Sequence, residues 1–174
     1  MIERDNVWKQ DVVTSVRCPT AEDLKKLENR VLVSQIGARF NTEAVDQLAA
    51  QKATALDLTM LLRTLSRGQS FDVLSSQANI AGYRAVIEAS SLLERPFAAQ
   101  STAAGKIKPL KVLVVGVGVA GLAAIQQANA MKAIVFAFDV RAAAAEQAEA
   151  MGARFLRVES EEDGSAAGGY AKEM

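Results

Sequence analysis

The sequence contains no histidine, a single cysteine (Cys18), three prolines and few aromatic residues. Without histidine, this chain alone carries no His-based triad, no His metal site and no imidazole acid/base relay. A lone cysteine excludes an internal disulfide framework and any cysteine-based zinc cluster. Net charge is also lacking. The 20 Lys and Arg balance the 20 Asp and Glu, so no global field recruits nucleic acid or an anionic membrane. No apolar run reaches the roughly 20 residues that span a bilayer. The longest, residues 112–125, is interrupted by Gly116, Gly118 and Gly121. The opening MIERDNVW lacks the basic start and apolar run of a secretory signal, so an intracellular chain is the expectation. Chemistry must come from carboxylates, Ser, Lys, Arg or a cofactor.

What is present is the composition of a folded chain: 174 residues, half of them apolar and 23% charged. Such a length suits one domain or parts of two. DVVTSVR (11–17), VLVSQIG (31–37) and ATALDL (53–58) read as strands. Between them lie two helical stretches, AEDLKKLEN capped by Thr20 and TEAVDQLAAQ capped by Asn41. Strands alternating with helices predict a parallel sheet with helical crossovers. From about Gln69 to Arg95 the pattern predicts one long helix stopped by Pro96. On a helical wheel Phe71, Leu74, Ala78, Ala81, Ala85, Ala89 and Leu92 form its expected core face. Residues 99–110 read as a linker closed by Pro109.

A second series then begins. KVLVV is a β-branched run of the kind buried on both faces of a sheet, followed at once by GVGVAG and a helix. IVFAFD reads as a second strand, residues 142–151 as a helix ended by Gly152, and ARFLRVE as a third strand. The tail from Glu159 is acidic, then Gly-rich, and reads as a loop and not a metal site. A doubly wound dinucleotide domain has about six strands. The expected architecture is therefore α/β: the end of a first Rossmann-like domain (1–65), a connecting helix (66–98), a linker (99–110) and the first half of a doubly wound, parallel-sheet dinucleotide domain (111–174).

Gly116-Val-Gly118-Val-Ala-Gly121 carries the strongest chemical signal, because it follows a strand and opens a helix. Gly116 permits the tight turn, Gly118 lets backbone approach a pyrophosphate, and Gly121 lets helix and strand pack closely. Asp139 ends the next strand near the offset at which an acid reads the adenine ribose, which favours NAD over NADP. Arg141 is the residue that could instead hold a 2′-phosphate, or the two could form no more than a surface ion pair. A hydride enzyme usually needs a proton acid/base beside the nicotinamide. With no histidine, either that group lies elsewhere or hydride moves without a proton, to an acceptor that is itself a nicotinamide. The segment from Arg63 to Ser75 offers arginine, glutamine, aspartate and serine that could orient such a ring, or could simply be a solvated helix start. Trp8 and Cys18 read as packing residues.

SRGQSFDVLSSQANIAGYRAV (66–86), STAAGK (101–106), VLVVGVGVAGLAAI (112–125), FAFDVRA (136–142) and GGYAKEM (168–174), with VWKQDVV (7–13) and NTEAVDQLA (41–49), resemble the NAD(H)-binding domain of the proton-translocating NAD(P) transhydrogenase family. Alanine dehydrogenase, the related family, shares the Rossmann motif but relies on a histidine. The resemblance implies direct hydride transfer from NADH here to NADP on a partner domain, coupled to proton movement by a membrane domain. It also implies a homodimer on the cytoplasmic or mitochondrial-matrix face of a membrane. It makes Arg63, Gln69, Asp72 and Ser75 the catalytic set; the family's arginine falls on Arg63 with one residue inserted, and on Thr64 without a gap. Cofactor contacts are implied for Ser66, Gln69, Ser70, Phe71 and Asp72, for Gly116, Gly118, Val119, Ala120 and Gly121, and for Asp139, Val140 and Arg141. Gly169 and Tyr170 match a loop that closes over the nucleotide. Lys132 stands where the family has the glycine that ends the first Rossmann helix. A soluble alanine-dehydrogenase-like oxidoreductase and a non-catalytic nucleotide-binding module are the alternatives.

Overall fold

The computed structural model describes residues 4–62 and 65–157. The chain divides between Leu74 and Ser75 into two compact units. Both are α/β with parallel sheets, as the strand–helix alternation predicts.

In the first unit, a short helix α1 (Arg4–Val7) precedes β1 (Val12–Arg17), α2 (Ala21–Leu24), β2 (Val31–Gln35), α3 (Thr42–Ala50) and β3 (Thr54–Asp57). The strands pair in parallel in the order β1-β2-β3, with Val13 opposite Leu32 and Leu32 opposite Ala55. Because side chains alternate along a strand, one face presents Val13 and Leu32, which pack with Leu24 and Leu27 and with Ala44 and Leu48 of α3. The other face leaves Val12, Val16 and Leu56 exposed. Thr20 and Asn41 cap α2 and α3 as expected, each side-chain oxygen accepting an N–H three residues on, from Asp23 and Ala44. The first helix is shorter than its sequence suggests. After Leu24, i→i+3 bonds tighten the chain (Lys26 N–H to Asp23, Leu27 N–H to Leu24), and Asn29 at φ 53° turns it back toward β2. Trp8 and Cys18 pack against this core. Burial, and then the Asp57 carboxylate, push the Cys18 thiol pKa up, which favours the neutral thiol.

The long helix α4 runs over Val73–Leu92, shorter than the expected Gln69–Arg95, because residues Gln69–Phe71 form a 3-10 turn instead. Its expected core face is wrong. Phe71, Leu74 and Leu92 are exposed, and the buried positions are Gly82 and Val86. Small residues let this helix approach its neighbour closely, and the larger apolar side chains are left outside.

In the second unit, the expected linker contains an antiparallel hairpin, β4 (Gln100–Thr102) and β5 (Gly105–Ile107), turned by Gly105 at φ 136° and tied by the Thr102 hydroxyl donating to the Gly105 carbonyl. Then follow β6 (Lys111–Val115), α5 (Val119–Ala130), β7 (Ile134–Phe138), α6 (Ala144–Ala150) and β8 (Arg154–Phe155), with parallel strand order β6-β7-β8. Val135 and Ala137 of β7 join Ile125 and Ala128 of α5 and Ala144 and Ala148 of α6 in one core. The expectation that KVLVV is buried on both faces fails, since Leu113 and Val115 are exposed. Among the described residues, helices of this unit join the core on one face only. Of the expected third strand, residues 158 and 159 lie outside the described residues.

Helices α3, α5 and α6 end in one way. In α5, the Lys132 N–H reaches the Asn129 carbonyl and the Ala133 N–H reaches Ala128, with Lys132 at φ 64°. This is a Schellman ending, whose left-handed position favours glycine. Gly152 fills that position after α6, at φ 85°, and Lys52 fills it after α3, at φ 53°. Lys132→Gly is therefore expected to raise stability by about 0.5–1 kcal/mol. Urea unfolding checks it; an unchanged or lower midpoint would show that the lysine is not strained.

Candidate dinucleotide site

The site grows from the turn between β6 and α5. Gly116 sits at φ 94°, a left-handed conformation, and its N–H donates to the Phe138 carbonyl at 2.8 Å, closing the turn onto β7. Val117 is fully buried and anchors the turn in the core. A methyl on Gly121 would lie 2.9 Å from the Gly116 carbonyl carbon and closer still to its oxygen. The third glycine of the motif is therefore required by helix–strand contact, as its spacing predicts. Gly118 is the N-cap of α5 and provides no side-chain cap. Helix α3 at the equivalent point of the first unit is capped by Asn41, whose amide also donates to the Ile36 carbonyl at 3.3 Å. One helix start is closed by its own side chain. The other, carrying Val119, Ala120 and Gly121, offers its dipole and N–H groups to an anion.

Asp139 follows β7, and its carboxylate is 6% exposed. One oxygen accepts from the Val117 N–H at 2.7 Å and from Arg141 Nη2 at 2.8 Å. The other accepts from the Arg141 backbone N–H at 2.8 Å and from Arg141 Nε at 2.9 Å. Arg141 Nη2 also donates to the Val117 carbonyl at 3.1 Å. Arg141, with Val140 between it and the acid, thus staples the strand end to the Gly-rich turn. The Arg141 hydrogen bonds, reinforced by the Arg141 and Val117 backbone N–H groups, hold the Asp139 pKa down at about 2 despite burial.

The same device recurs in the first unit without being evident from sequence. Asp57 ends β3 and accepts from the N–H groups of Ile36 (2.9 Å), Ala38 (2.8 Å) and Thr59 (2.9 Å), and from the Thr59 hydroxyl. Burial works against its ionisation, but the Ala38 and Thr59 bonds and then Ile36 outweigh it and lower its pKa. The detectable signal was an acid at the end of a strand that follows a strand–turn–helix, in both halves of the chain.

The structure brings together Gly116, Gly118, Val119, Ala120, Gly121, Asp139, Val140 and Arg141 within the second unit. Ser66, Gln69, Ser70 and Phe71 are exposed residues of the first unit, where the Ser70 hydroxyl donates to the Arg67 carbonyl at 3.1 Å. Asp72 immediately precedes α4, and Ser75 lies on its first turn. Arg63, Gly169 and Tyr170 lie outside the described residues. Among the described residues no group of three His, Cys, Asp or Glu side chains could hold a metal, and no helix is long and apolar enough to cross a membrane.

Parallel strands, a Gly-rich turn onto an uncapped helix, and an acid at the next strand end define a Rossmann-type dinucleotide-binding fold. Residues 1–81 match the alanine dehydrogenase/PNT N-terminal domain and residues 85–171 match the alanine dehydrogenase/PNT C-terminal domain. The chain belongs to the alanine dehydrogenase/PNT family. It is 47% identical to NAD(P) transhydrogenase subunit alpha of Haemophilus influenzae over 97% of this chain and 33% of that protein. It is 50% identical to NAD(P) transhydrogenase subunit alpha of Cereibacter sphaeroides, over 92% of this chain and 31% of that protein. The crystal structure of transhydrogenase from Sinorhizobium meliloti superposes with a TM-score of 0.82 at 39% identity, covering 87% of this chain and 46% of that one. An L-alanine dehydrogenase shares the fold, with a TM-score of 0.75 at 22% identity over 91% of this chain and 45% of that one. The chain thus spans less than half the length of these relatives.

Proposed function

We propose that this chain is the NAD(H)-binding part of a proton-translocating NAD(P) transhydrogenase. In that role, hydride passes directly from NADH held here to NADP held on a partner domain. A membrane domain of the same complex couples the exchange to proton movement, and the NAD(H)-binding parts pair as a homodimer on the cytoplasmic or matrix face. The observation that carries this reading is the uncapped start of α5 beside the buried Asp139 carboxylate. The names of the 47% and 50% identical relatives support it.

The residues suit a dinucleotide in particular ways. The first turn of α5 binds the pyrophosphate through backbone N–H groups, and Gly118 leaves the approach open. Asp139 accepts the adenine-ribose hydroxyls, which exchange with the Arg141 guanidinium bonds. Arg141, with a 20% exposed side chain, can turn outward. An ionised carboxylate at that point repels a 2′-phosphate, which selects NAD(H) over NADP(H). The family resemblance assigns Gln69, Asp72, Ser75 and Arg63 to the nicotinamide carboxamide and ribose, Ser66, Ser70 and Phe71 to the same end of the nucleotide, and Gly169 and Tyr170 to a loop over it. None of these residues needs to carry a proton. A chain with no histidine is consistent with this chemistry, because hydride leaving one nicotinamide C4 for another releases no proton.

Isotope labelling tests the reaction. With the full-length protein assembled with its NADP-binding partner domain, NADH deuterated at the transferred C4 position and unlabelled NADP, the label is expected to appear quantitatively in NADPH. Loss of label to water, or no transfer, would overturn the transhydrogenase reading.

A further inference from the structure

We propose that Gly82, in the middle of α4, is a positioning residue that sets the pyrophosphate-binding turn at the start of α5. The inference rests on the dinucleotide reading above and deepens it by naming a residue outside the Gly-rich motif.

An interior glycine is disfavoured in a helix relative to alanine, so its presence in a 20-residue helix calls for a reason. Backbone conformation is not that reason, since Gly82 does not adopt a positive φ. Space is. A methyl on Gly82 would lie 2.6 Å from the Ala120 carbonyl carbon and 2.9 Å from its Cα, and nearer still to its carbonyl oxygen. All of these are backbone atoms of the second residue of α5, so no side-chain rotation relieves the clash. On the other contact of the same turn, Gly121 meets the Gly116 carbonyl equally closely. The first turn of α5 is therefore lodged between two glycine contacts, Gly82 of α4 and Gly121 against Gly116. One turn further along α4, Val86 is buried in the core cluster that contains Val117 and Ile125. This seats α4 on the body of the unit and leaves Gly82 no room to retreat.

Relieving the overlap, by restoring ordinary separations of about 3.5–4.0 Å, moves the first turn of α5 by on the order of an ångström. That turn is the one whose N–H groups face the pyrophosphate. The adenosine end, at Asp139 and Arg141, follows β7 and is tied to Val117, which is anchored in the core ahead of the α5 turn that Gly82 touches.

The test compares NADH with adenosine, which has no phosphate, on the full-length protein carrying Gly82→Ala. NADH is followed by its fluorescence and adenosine by saturation-transfer NMR. NADH affinity is expected to fall about tenfold or more, given that an ångström misplacement is costly. Adenosine affinity is expected to change by less than about threefold over the same comparison. If Gly82→Ala does not fold, Val86→Ala serves, with the same selective loss of NADH expected on a smaller scale. Equal losses for the two ligands would mean a merely structural glycine, and unchanged NADH affinity would mean that the turn tolerates the methyl; either overturns the inference. The unsubstituted protein separates the two ideas. Its failure to bind NADH sinks the dinucleotide reading itself, whereas its binding alongside either of those results sinks only the role of Gly82.

Discussion

Asp139→Ala is expected to weaken NADH binding about a hundredfold, because two hydrogen bonds to a charged acceptor, worth about 1.5–3 kcal/mol each at most, are lost. NADPH should lose far less, since the repulsion of its 2′-phosphate disappears and Arg141 is released to meet it. The gap between the two nucleotides therefore narrows, because NADH loses more than NADPH does. Calorimetric titration of the variant with each nucleotide reads this, and a variant that keeps its full preference for NADH would show that Asp139 does not read the ribose. The same change strips the acceptor from the Val117 N–H, the Arg141 N–H and a guanidinium only 20% exposed. Breaking such a pair by removing one partner costs about 3 kcal/mol.

The carboxylate also makes an acid limb in stability. Its folded pKa of about 2 lies below the ordinary 3.8, so the native state favours the charged form and the contribution is fully present at neutral pH. It is lost as pH falls from about 4 to about 2, and amounts to about 2 kcal/mol. Asp57 is shifted in the same direction and adds to the same limb. Urea unfolding at several pH values should show the limb in the unsubstituted protein and a shallower one in Asp139→Ala.

Gln69→Asn is expected to slow hydride transfer about a hundredfold while leaving NADH affinity nearly unchanged. If hydride passes between two nicotinamides, the chain contributes geometry at this end and no proton. Losing one methylene draws the amide back by about a C–C bond length, and a 1 Å misplacement can cost about a hundredfold in rate. On the proposed reading affinity is carried by the pyrophosphate and adenosine contacts, which the change leaves alone. Stopped-flow hydride transfer measured beside equilibrium NADH titration separates the two quantities. An unchanged rate would make Gln69 an ordinary exposed residue of the 3-10 turn that precedes α4.

What could be read from the sequence was chemistry with a fixed local geometry. Thr20 and Asn41 announced their helices because a cap needs one side-chain oxygen at one place. Gly116, Gly118 and Gly121 announced the turn because only that spacing allows a tight turn and a close helix. What escaped depended on contacts between distant segments. The apolar wheel of α4 pointed to Phe71, Leu74 and Leu92, yet the helix packs through Gly82 and Val86, since closeness of approach outweighs side-chain size there. The β-branched run of β6 suggested burial on both faces, while Leu113 and Val115 are open. The Asp139–Arg141 staple lay within reach as an ion pair, but its hold on Val117 depends on how β7 pairs with β6.

The central claim is that the second unit takes NAD(H) and discriminates against NADP(H). Calorimetric titration of the unsubstituted full-length protein with NADH and with NADPH, at one ionic strength, tests it most directly. The account predicts NADH binding at least about tenfold tighter, from an ionised Asp139 facing the ribose. Tighter binding of NADPH, or no heat with either nucleotide, would contradict it.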